Sequence, residues 1–284
     1  MSEMDQIRKV PMGAGAEWLL GGIALLRKAP LTLGLLGLIW GGLSALGSLG
    51  GQVWLSLLMA LAGPILFGGL VYAVHEVEQG RPAKPGHLLQ GMRDGKAPRL
   101  LAMLLPQVVA MIVLAALLVG MVGVEQLERM SAVMVELQTN PDPALMETLP
   151  LGALAGWFIA ALVIGVVVGF FTFVAIPQVM FTSSSAFAAM TLSLRACLRN
   201  VGALLVMLVL LMVAMIALSL ALQLVGVVLA FVLGDHVSMF AVQLLLMAIV
   251  LPVLGGAVYL AWRQMVGGAT VAPASPAASG GFEA

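Results

Sequence analysis

The sequence predicts an all-α protein with about six transmembrane helices, arranged as three hairpins with amphipathic helices at the membrane surface. Hydrophobic residues make up 62% of its 284 residues and charged residues only 9%, whereas a soluble domain carries about 25% charged residues. Apolar runs long enough to span the roughly 30 Å hydrocarbon core of a bilayer occur repeatedly. Nearly all Lys and Arg residues fall on one predicted side of the membrane, which is typical of polytopic membrane proteins.

The predicted spans follow one another in pairs. Hydrocarbon cannot hydrogen-bond to backbone groups, so these runs must be helical, and they lack the alternation of a transmembrane β-strand. For the stretch 41–52, two alternatives stay open: a full span and a partly re-entrant turn. The predicted spans are residues 31–50, 53–74, 100–124, 152–180, 201–233 and 238–262.

The distribution of positive charge predicts the orientation of the chain. Only Arg129, among 13 Lys and Arg residues, falls on the side opposite the others. Short loops rich in Lys and Arg stay in the cytoplasm, so we expect a multi-pass bacterial inner-membrane protein with cytoplasmic N- and C-termini. The residues on the predicted cytoplasmic side are Arg8, Lys9, Arg27, Lys28, Arg81, Lys84, Arg93, Lys96, Arg99, Arg195, Arg199 and Arg263.

The chain divides into a polar N-terminal segment (1–15), a membrane domain (16–266) and a C-terminal tail (267–284). The tail is rich in Ala, Ser, Gly and Pro, so we expect it to be disordered. The one sizeable outer loop, 125–150, is predicted to begin as a surface helix, since apolar residues recur in it at helical spacing. The predicted hairpins of the membrane domain cover residues 16–80, 84–182 and 184–266.

The three hairpins look like one repeated unit. Leu19-Leu20-Gly21-Gly22-Ile23 resembles Leu88-Leu89-Gln90-Gly91-Met92, and each is followed by Lys-Ala-Pro and then by a spanning run. The second helices of two hairpins match between residues 63–72 and 251–259, and Pro177 holds the same place in the middle hairpin. Internal repeats are common in membrane proteins. The alternative is chance similarity, because Leu, Ala and Gly dominate the chain.

A short amphipathic segment with basic residues precedes each hairpin. Residues 16–28 place Trp18 and several apolar residues beside a basic end, and residues 185–199 combine Phe187 and Leu194 with two arginines. Such helices lie in the headgroup plane, with aromatic rings at the interface and cations directed at anionic lipid. Two interpretations stay open: a lipid-recognition site, and simple connectors whose long cationic side chains extend to the water.

No catalytic constellation is evident, and we predict no catalytic, cofactor-binding or metal-binding residues. The sequence contains no serine nucleophile elbow, phosphate loop or zinc-protease motif. His75, Glu76, Glu78 and His87 are the nearest approach to a metal site, but they fall in a short charged loop where solvated residues are expected. The 19 methionines are scattered along the spans, where a flexible apolar filler is useful, rather than gathered as copper ligands.

The spans contain amides rather than ionisable side chains. This pattern argues against transport coupled to protons or ions through buried carboxylates. Gln107 and Gln178 each follow a proline, Pro106 and Pro177, and proline frees a backbone carbonyl one turn earlier in a helix. Each glutamine is able to hydrogen-bond to that carbonyl or to a neighbouring helix.

Residues 175–200 carry a pattern of their own: Ala175-Ile176-Pro177 at the inner end of a helix, then a surface helix ending in Ser193-Leu194-Arg195-Ala196-Cys197-Leu198-Arg199-Asn200. With the closing Tyr259-x-x-Trp262-Arg263, this pattern resembles a family of uncharacterised proteobacterial polytopic inner-membrane proteins, over nearly all of 16–265. More distantly, the chain is similar to membrane domains of bacterial glycerophosphodiester phosphodiesterases. Their catalytic domain is absent here, and Thr182-Ser183-Ser184-Ser185 replaces their acidic residue. The resemblance therefore implies a membrane fold, and the activity of those enzymes is not carried over.

We expect a non-enzymatic integral inner-membrane protein that acts in membrane organisation, lipid interaction or support of a partner. The basis is the basic amphipathic segments at three membrane entries and the lack of embedded charge. Membrane lipids, a protein partner or a second copy are the expected partners, and zero net charge excludes bulk binding of nucleic acid. The alternative is a transporter or permease for a small neutral or lipid-like substrate, with hinge points at Pro64, Pro106, Pro177 and Pro252. A shared internal cavity faced by Gln107 and Gln178 would distinguish this alternative.

Overall fold

Helices form every regular element of the computed structural model, and it contains no strand in the residues that it describes, 7–49, 53–139 and 149–267. Within these ranges, five helical stretches are long and apolar enough to cross a membrane. A sharply bent pair near the N-terminus brings the number to six if it is counted as one span. The all-α class and the presence of five to six potential membrane helices therefore confirm the coarse prediction.

The first hairpin consists of α1 (Ala14–Lys28), α2 (Pro30–Leu49) and α3 (Val53–Glu78). The axis of α1 makes an angle of 105° with that of α2. The bend falls at Ala29, because the following proline disfavours helical geometry in the residue before it. Helix α2 continues without a break through residues 41–49. The described part of 41–52, the stretch predicted as a full span or a partly re-entrant turn, is therefore helical.

The second hairpin begins with short helical turns, and its returning helix is broken. Its elements are a 3₁₀ helix (Pro85–Leu89), α4 (Gln90–Arg93), α5 (Ala97–Leu101), a 3₁₀ turn (Ala102–Leu104), α6 (Leu105–Val122), α7 (Val124–Thr139), α8 (Leu151–Thr172) and α9 (Ala175–Phe181). Helix α7 occupies the start of 125–150, where a helix was expected, and residues 140–148 lie outside the described residues. Phe173 and Val174 separate α8 from α9.

The third hairpin consists of α10 (Ala186–Arg199), α11 (Val201–Leu233) and α12 (Asp235–Met265). The side chain of Ser185 caps α10 by accepting a hydrogen bond from a backbone N–H three residues later (3.3 Å). Gly234 makes the turn between α11 and α12 with φ of 79°, which residues with a Cβ rarely adopt. The bounds of α11 coincide with the predicted span 201–233.

The three hairpins close into a ring at one end of the molecule. The segment that leads each hairpin packs against the returning helix of the hairpin before it: residues 85–101 against α3, and α10 against α8 and α9. Helix α1 packs against α12 and so closes the ring, and α3, α9 and α12 contact one another at its centre. The hairpins therefore occupy equivalent places, although their origin from an internal repeat stays a prediction.

The buried core lies mostly at this end of the molecule. We call it the basic end, and it comprises α1, residues 85–101, α10 and the last turns of α3, α9 and α12. Trp18, Val74, Leu100 and Met265 are among its largest fully buried side chains. In contrast, no residue of α6 or α8 is buried. Exposed apolar helices of this kind are what the hydrocarbon of a bilayer covers.

The N-terminal segment is attached to the basic end by backbone hydrogen bonds. The N–H of Arg8 donates to the carbonyl oxygen of Met265 (2.8 Å), and the N–H of Val10 donates to Oδ1 of Asn200 (2.8 Å). Residues 7–10 thus join the end of α12 to the start of α11. Residues 1–6 and the tail from 268 onward, including nearly all of the predicted disordered segment, lie outside the described residues.

Candidate functional site

Two features of the molecule are of functional interest. The first is a group of polar and aromatic side chains at the centre of the ring, where α3, α9 and α12 meet. The second is an apolar groove between α6 and α8. We call the first group the axial cluster, and its members are His75, Glu78, Gln178, Phe181, Tyr259, Trp262 and Arg263.

Gln178 joins α9 to α12. Its Oε1 accepts a hydrogen bond from Nε1 of Trp262 (2.7 Å), and its Nε2 donates to Oγ of Ser184 (3.1 Å). Only 6% of Gln178 is exposed, so removal of either partner leaves a buried amide group unpaired, at a cost of about 1–3 kcal/mol. Of the two alternatives that follow from Pro177, the glutamine therefore bonds to a neighbouring helix rather than to its own.

Glu78 joins α3 to α12 and to α1. Its carboxylate accepts hydrogen bonds from the hydroxyl of Tyr259 (2.7 Å) and from the guanidinium of Arg263, and its backbone carbonyl accepts one from Nζ of Lys28 (3.2 Å). Nδ1 of His75 lies 2.8 Å from the same tyrosine hydroxyl. Because the single hydroxyl proton goes to Glu78, the hydroxyl oxygen accepts from the N–H of His75.

Aromatic rings fill the space between these polar groups. Phe181 stacks on Trp262 with ring centroids 5.1 Å apart, and it also contacts the rings of His75 and Tyr259 at 5.0 Å and 5.7 Å. No buried side-chain nitrogen or oxygen lacks a hydrogen-bond partner in the part of the chain that the structure describes. The side chains of the axial cluster thus bond to one another, and the cluster holds α3, α9 and α12 together.

The four residues that the sequence placed in one charged loop have separate partners. His75 and Glu78 belong to the axial cluster, whereas Glu76 forms an ion pair with Arg81 (2.6 Å). Nδ1 of His87 accepts a hydrogen bond from a backbone N–H three residues earlier (3.3 Å). Within the described ranges, no group of three or more His, Cys, Asp or Glu side chains is placed to hold a metal ion.

The apolar groove has a volume of about 440 Å³. It runs along α6 from Leu105 to Val113 and along α8 from Val163 to Phe171, and side chains of α10 close it at the basic end. At 1.5 Å per residue, each wall is about 12 Å long, compared with about 15 Å for the hydrocarbon of one leaflet. Thr191 is the one polar side chain among its lining residues.

Gln107 and Gln178 do not share a cavity. Gln107 is exposed on a different side of α6 from the groove, where it borders a second apolar space beside Trp157 of α8. Gln178 lies in the axial cluster. The shared cavity that would favour the transporter alternative is therefore not formed by these two glutamines.

No family model, no curated protein and no solved structure matches the chain. The family resemblance of residues 175–200 consequently stays a prediction, and the function has to be argued from the geometry. Sequence reasoning identified Gln178, Glu78 and Trp262 separately but missed that they meet. It also missed Thr191, although the interval of four residues from Phe187 places both on one face of a helix.

Proposed function

We propose that this protein is a non-enzymatic integral protein of the bacterial inner membrane that interacts with lipid at the cytoplasmic leaflet. In this role it organises the membrane or supports a partner there. The observation that carries the proposal is the ring formed by α1, residues 85–101 and α10 at the basic end. Each of these three segments packs on a returning helix, and we propose that together they form the surface where headgroups lie.

The charge of this surface supports the proposal. Together with the adjoining segments 7–13 and 79–84, the basic end includes 12 Lys and Arg residues but only four acidic residues, Glu17, Glu76, Glu78 and Asp94, a net charge of +8 within the described ranges. Glu76 and Glu78 are already engaged by Arg81 and Arg263. Each cation near an anionic membrane surface contributes about 1 kcal/mol of attraction. An excess of this size favours the cytoplasmic leaflet, by the same rule that predicts cytoplasmic termini.

The direction of α1 also supports a position in the headgroup plane. For an α2 that runs along the membrane normal, an angle of 105° between the two helices corresponds to a course of α1 nearly parallel to the membrane. Its buried face, which includes Trp18 and Leu25, packs on the protein, while Arg27 and Lys28 are exposed. The expectation that Trp18 lies at the membrane interface is therefore wrong, because its ring is buried in the protein, and α1 presents only its exposed cations to headgroups.

Chemistry at the basic end favours a binding role over catalysis. The ionisable groups of the axial cluster are bonded to one another, and the lone thiol, Cys197, is buried. Burial raises the pKa of Cys197 to about 12, and a hydrogen bond with Ser193 opposes this rise only in part. A thiol of this kind is a poor nucleophile.

The test is extraction of the protein from native membranes into polymer nanodiscs, followed by mass spectrometry of the retained lipids and proteins. An unrelated six-span protein provides the control. We expect enrichment of anionic lipid, or of one stoichiometric protein, relative to the control. Retained material that matches the control, together with movement of a solute in liposomes, would refute the proposal and favour the permease alternative.

A further inference from the structure

Helix α10 has one exposed face, and the groove ends on it. Phe187, Thr191 and Arg195 follow at intervals of four residues, so they form one stripe along the helix, and all three are exposed. The rotation of α10 is fixed from the opposite side by Ser193, whose hydroxyl donates to the carbonyl oxygen of Phe170 (2.8 Å). The same hydroxyl accepts from the N–H of Val174 (3.1 Å).

Arg195 stands one helical turn beyond the residues that close the groove. Phe187 and Thr191 line the groove, and the Cβ of Arg195 is about 5–6 Å from that of Thr191. The guanidinium of Arg195 has no hydrogen-bond or ion-pair partner among the described residues. An extended arginine side chain at this position is able to bring its donors to the end of the groove that α10 forms.

The charges around the groove are of one sign. Helices α6, α8 and α10, which form its walls and its end, contain no Asp or Glu. The charged residues of α10 are Arg195 and Arg199, and Arg99 lies shortly before α6. A guanidinium presents a planar set of N–H donors that matches a phosphate group. The complementary ligand therefore combines an anionic head with an apolar chain.

The dimensions of the groove fit one such chain. A volume of about 440 Å³ is within the usual range of about 300–1,000 Å³ for small-molecule sites. Its length of about 12 Å covers most of the depth of one leaflet. A polar solute would find one hydroxyl, that of Thr191, and this already donates within α10.

We propose that the groove between α6 and α8 binds one acyl chain of an anionic glycerophospholipid, with Arg195 bound to its phosphate. This inference rests on the proposed function, because it names the ligand and the site of the lipid interaction. Phosphatidylglycerol is the probe that tests it, with phosphatidylcholine of the same acyl chains as the neutral comparison.

The first experiment uses the full chain in nanodiscs that contain equal amounts of the two lipids, with native mass spectrometry of the lipids that stay bound. In the wild type we expect bound phosphatidylglycerol to exceed phosphatidylcholine about fivefold, the effect of one well-placed cation. Arg195→Gln should return this ratio close to one. Arg129→Gln is the matched control, because Arg129 is an exposed arginine of α7, outside the basic end, and it should leave the ratio unchanged.

The second experiment fills the groove. Val109 lines it and is 59% exposed, while Ile112 on the same helix is 62% exposed but lies outside the groove. Val109→Phe should remove one retained lipid, and Ile112→Phe should not. Both residues face lipid, so neither change disturbs the core.

Loss of preference in Arg195→Gln together with loss of a lipid in Val109→Phe supports the assignment. If the preference for phosphatidylglycerol survives either substitution, the assignment of this site is overturned, since it requires both the cation and the groove. The proposed lipid-binding function of the protein then still stands. If the wild type retains no more lipid than an unrelated six-span protein, and the ratio of bound phosphatidylglycerol to phosphatidylcholine is one, both the site assignment and the proposed function are overturned.

Discussion

Replacement of Gly69 by alanine tests how the second hairpin is joined to the first. Gly69 lies in α3 directly against the 85–89 turn. A Cβ added there would overlap the carbonyl oxygens of His87 and Leu88. Its separation from them would be well below the distance of about 3.5 Å at which two nonbonded atoms make favourable contact. These are backbone atoms, so no side-chain rotation relieves the overlap, and the turn has to move away from α3.

The expected destabilisation follows from two opposing effects. Overpacking costs about 1–3 kcal/mol, and a backbone overlap places Gly69→Ala at the upper end of that range. Alanine regains up to about 1 kcal/mol over glycine in a helix interior. The net loss is therefore about 2 kcal/mol, which corresponds to a decrease of roughly 4–8 °C in Tm for a chain of this size.

The assay is thermal unfolding in detergent, followed by circular dichroism, with Gly63→Ala as the matched control. Gly63 is in the same helix, and a Cβ at that position meets no atom within 4 Å, so its substitution should be neutral or stabilising by up to about 1 kcal/mol. If Gly69→Ala unfolds at the same temperature as Gly63→Ala, the 85–89 turn does not pack on α3 and the reasoning is refuted.

Two further predictions concern groups at the basic end. The sole cysteine, Cys197, has a pKa raised to about 12 by burial. Maleimide should therefore label it at least about 1,000-fold more slowly than an exposed thiol until the protein is unfolded in SDS. Rapid labelling in mild detergent would contradict the burial of this thiol. Burial also lowers the pKa of His87, so the unfolded chain binds that proton more tightly. Stability should therefore fall as the pH drops below about 6.5, and less steeply in His87→Gln; identical pH profiles by thermal unfolding would disprove this effect.

The long apolar helices were predictable because hydrocarbon requires long apolar segments whose backbone groups bond within one helix. Hydropathy alone placed a span at 201–233, where the structure has α11, and at 100–124, where it has Ala97–Val122. The bend at Ala29 could also be expected, since Lys28-Ala29-Pro30 combines a cationic end with a residue that stops helices. These features depend on local composition, which is present in the sequence itself.

The contacts between hairpins were not predictable from local pattern. Trp262 and Gln178 are 84 residues apart, and neither residue type indicates its partner. Gly68 and Gly69 of α3 belong to the repeated stretch 63–72, but the repeat does not predict that Gly69 faces the carbonyl groups of residues 87 and 88. The place of residues 7–10 against Asn200 was missed for the same reason, because a hydrogen bond between distant backbone and side-chain groups leaves no periodic signal.

The division of packing within the molecule explains why a lipid, rather than another helix, fits the groove. Helices α2 and α11 pack along α12, whereas α6 and α8 contact mainly each other, α7 and the short helices of the basic end. Their apolar surfaces consequently stay available to hydrocarbon, and an acyl chain in the groove displaces no protein contact. With its phosphate on Arg195, such a lipid would bridge α10 of the third hairpin to both membrane helices of the second. Lipid binding would therefore strengthen the ring where its protein contacts are fewest, which couples the integrity of the fold to the composition of the leaflet around it.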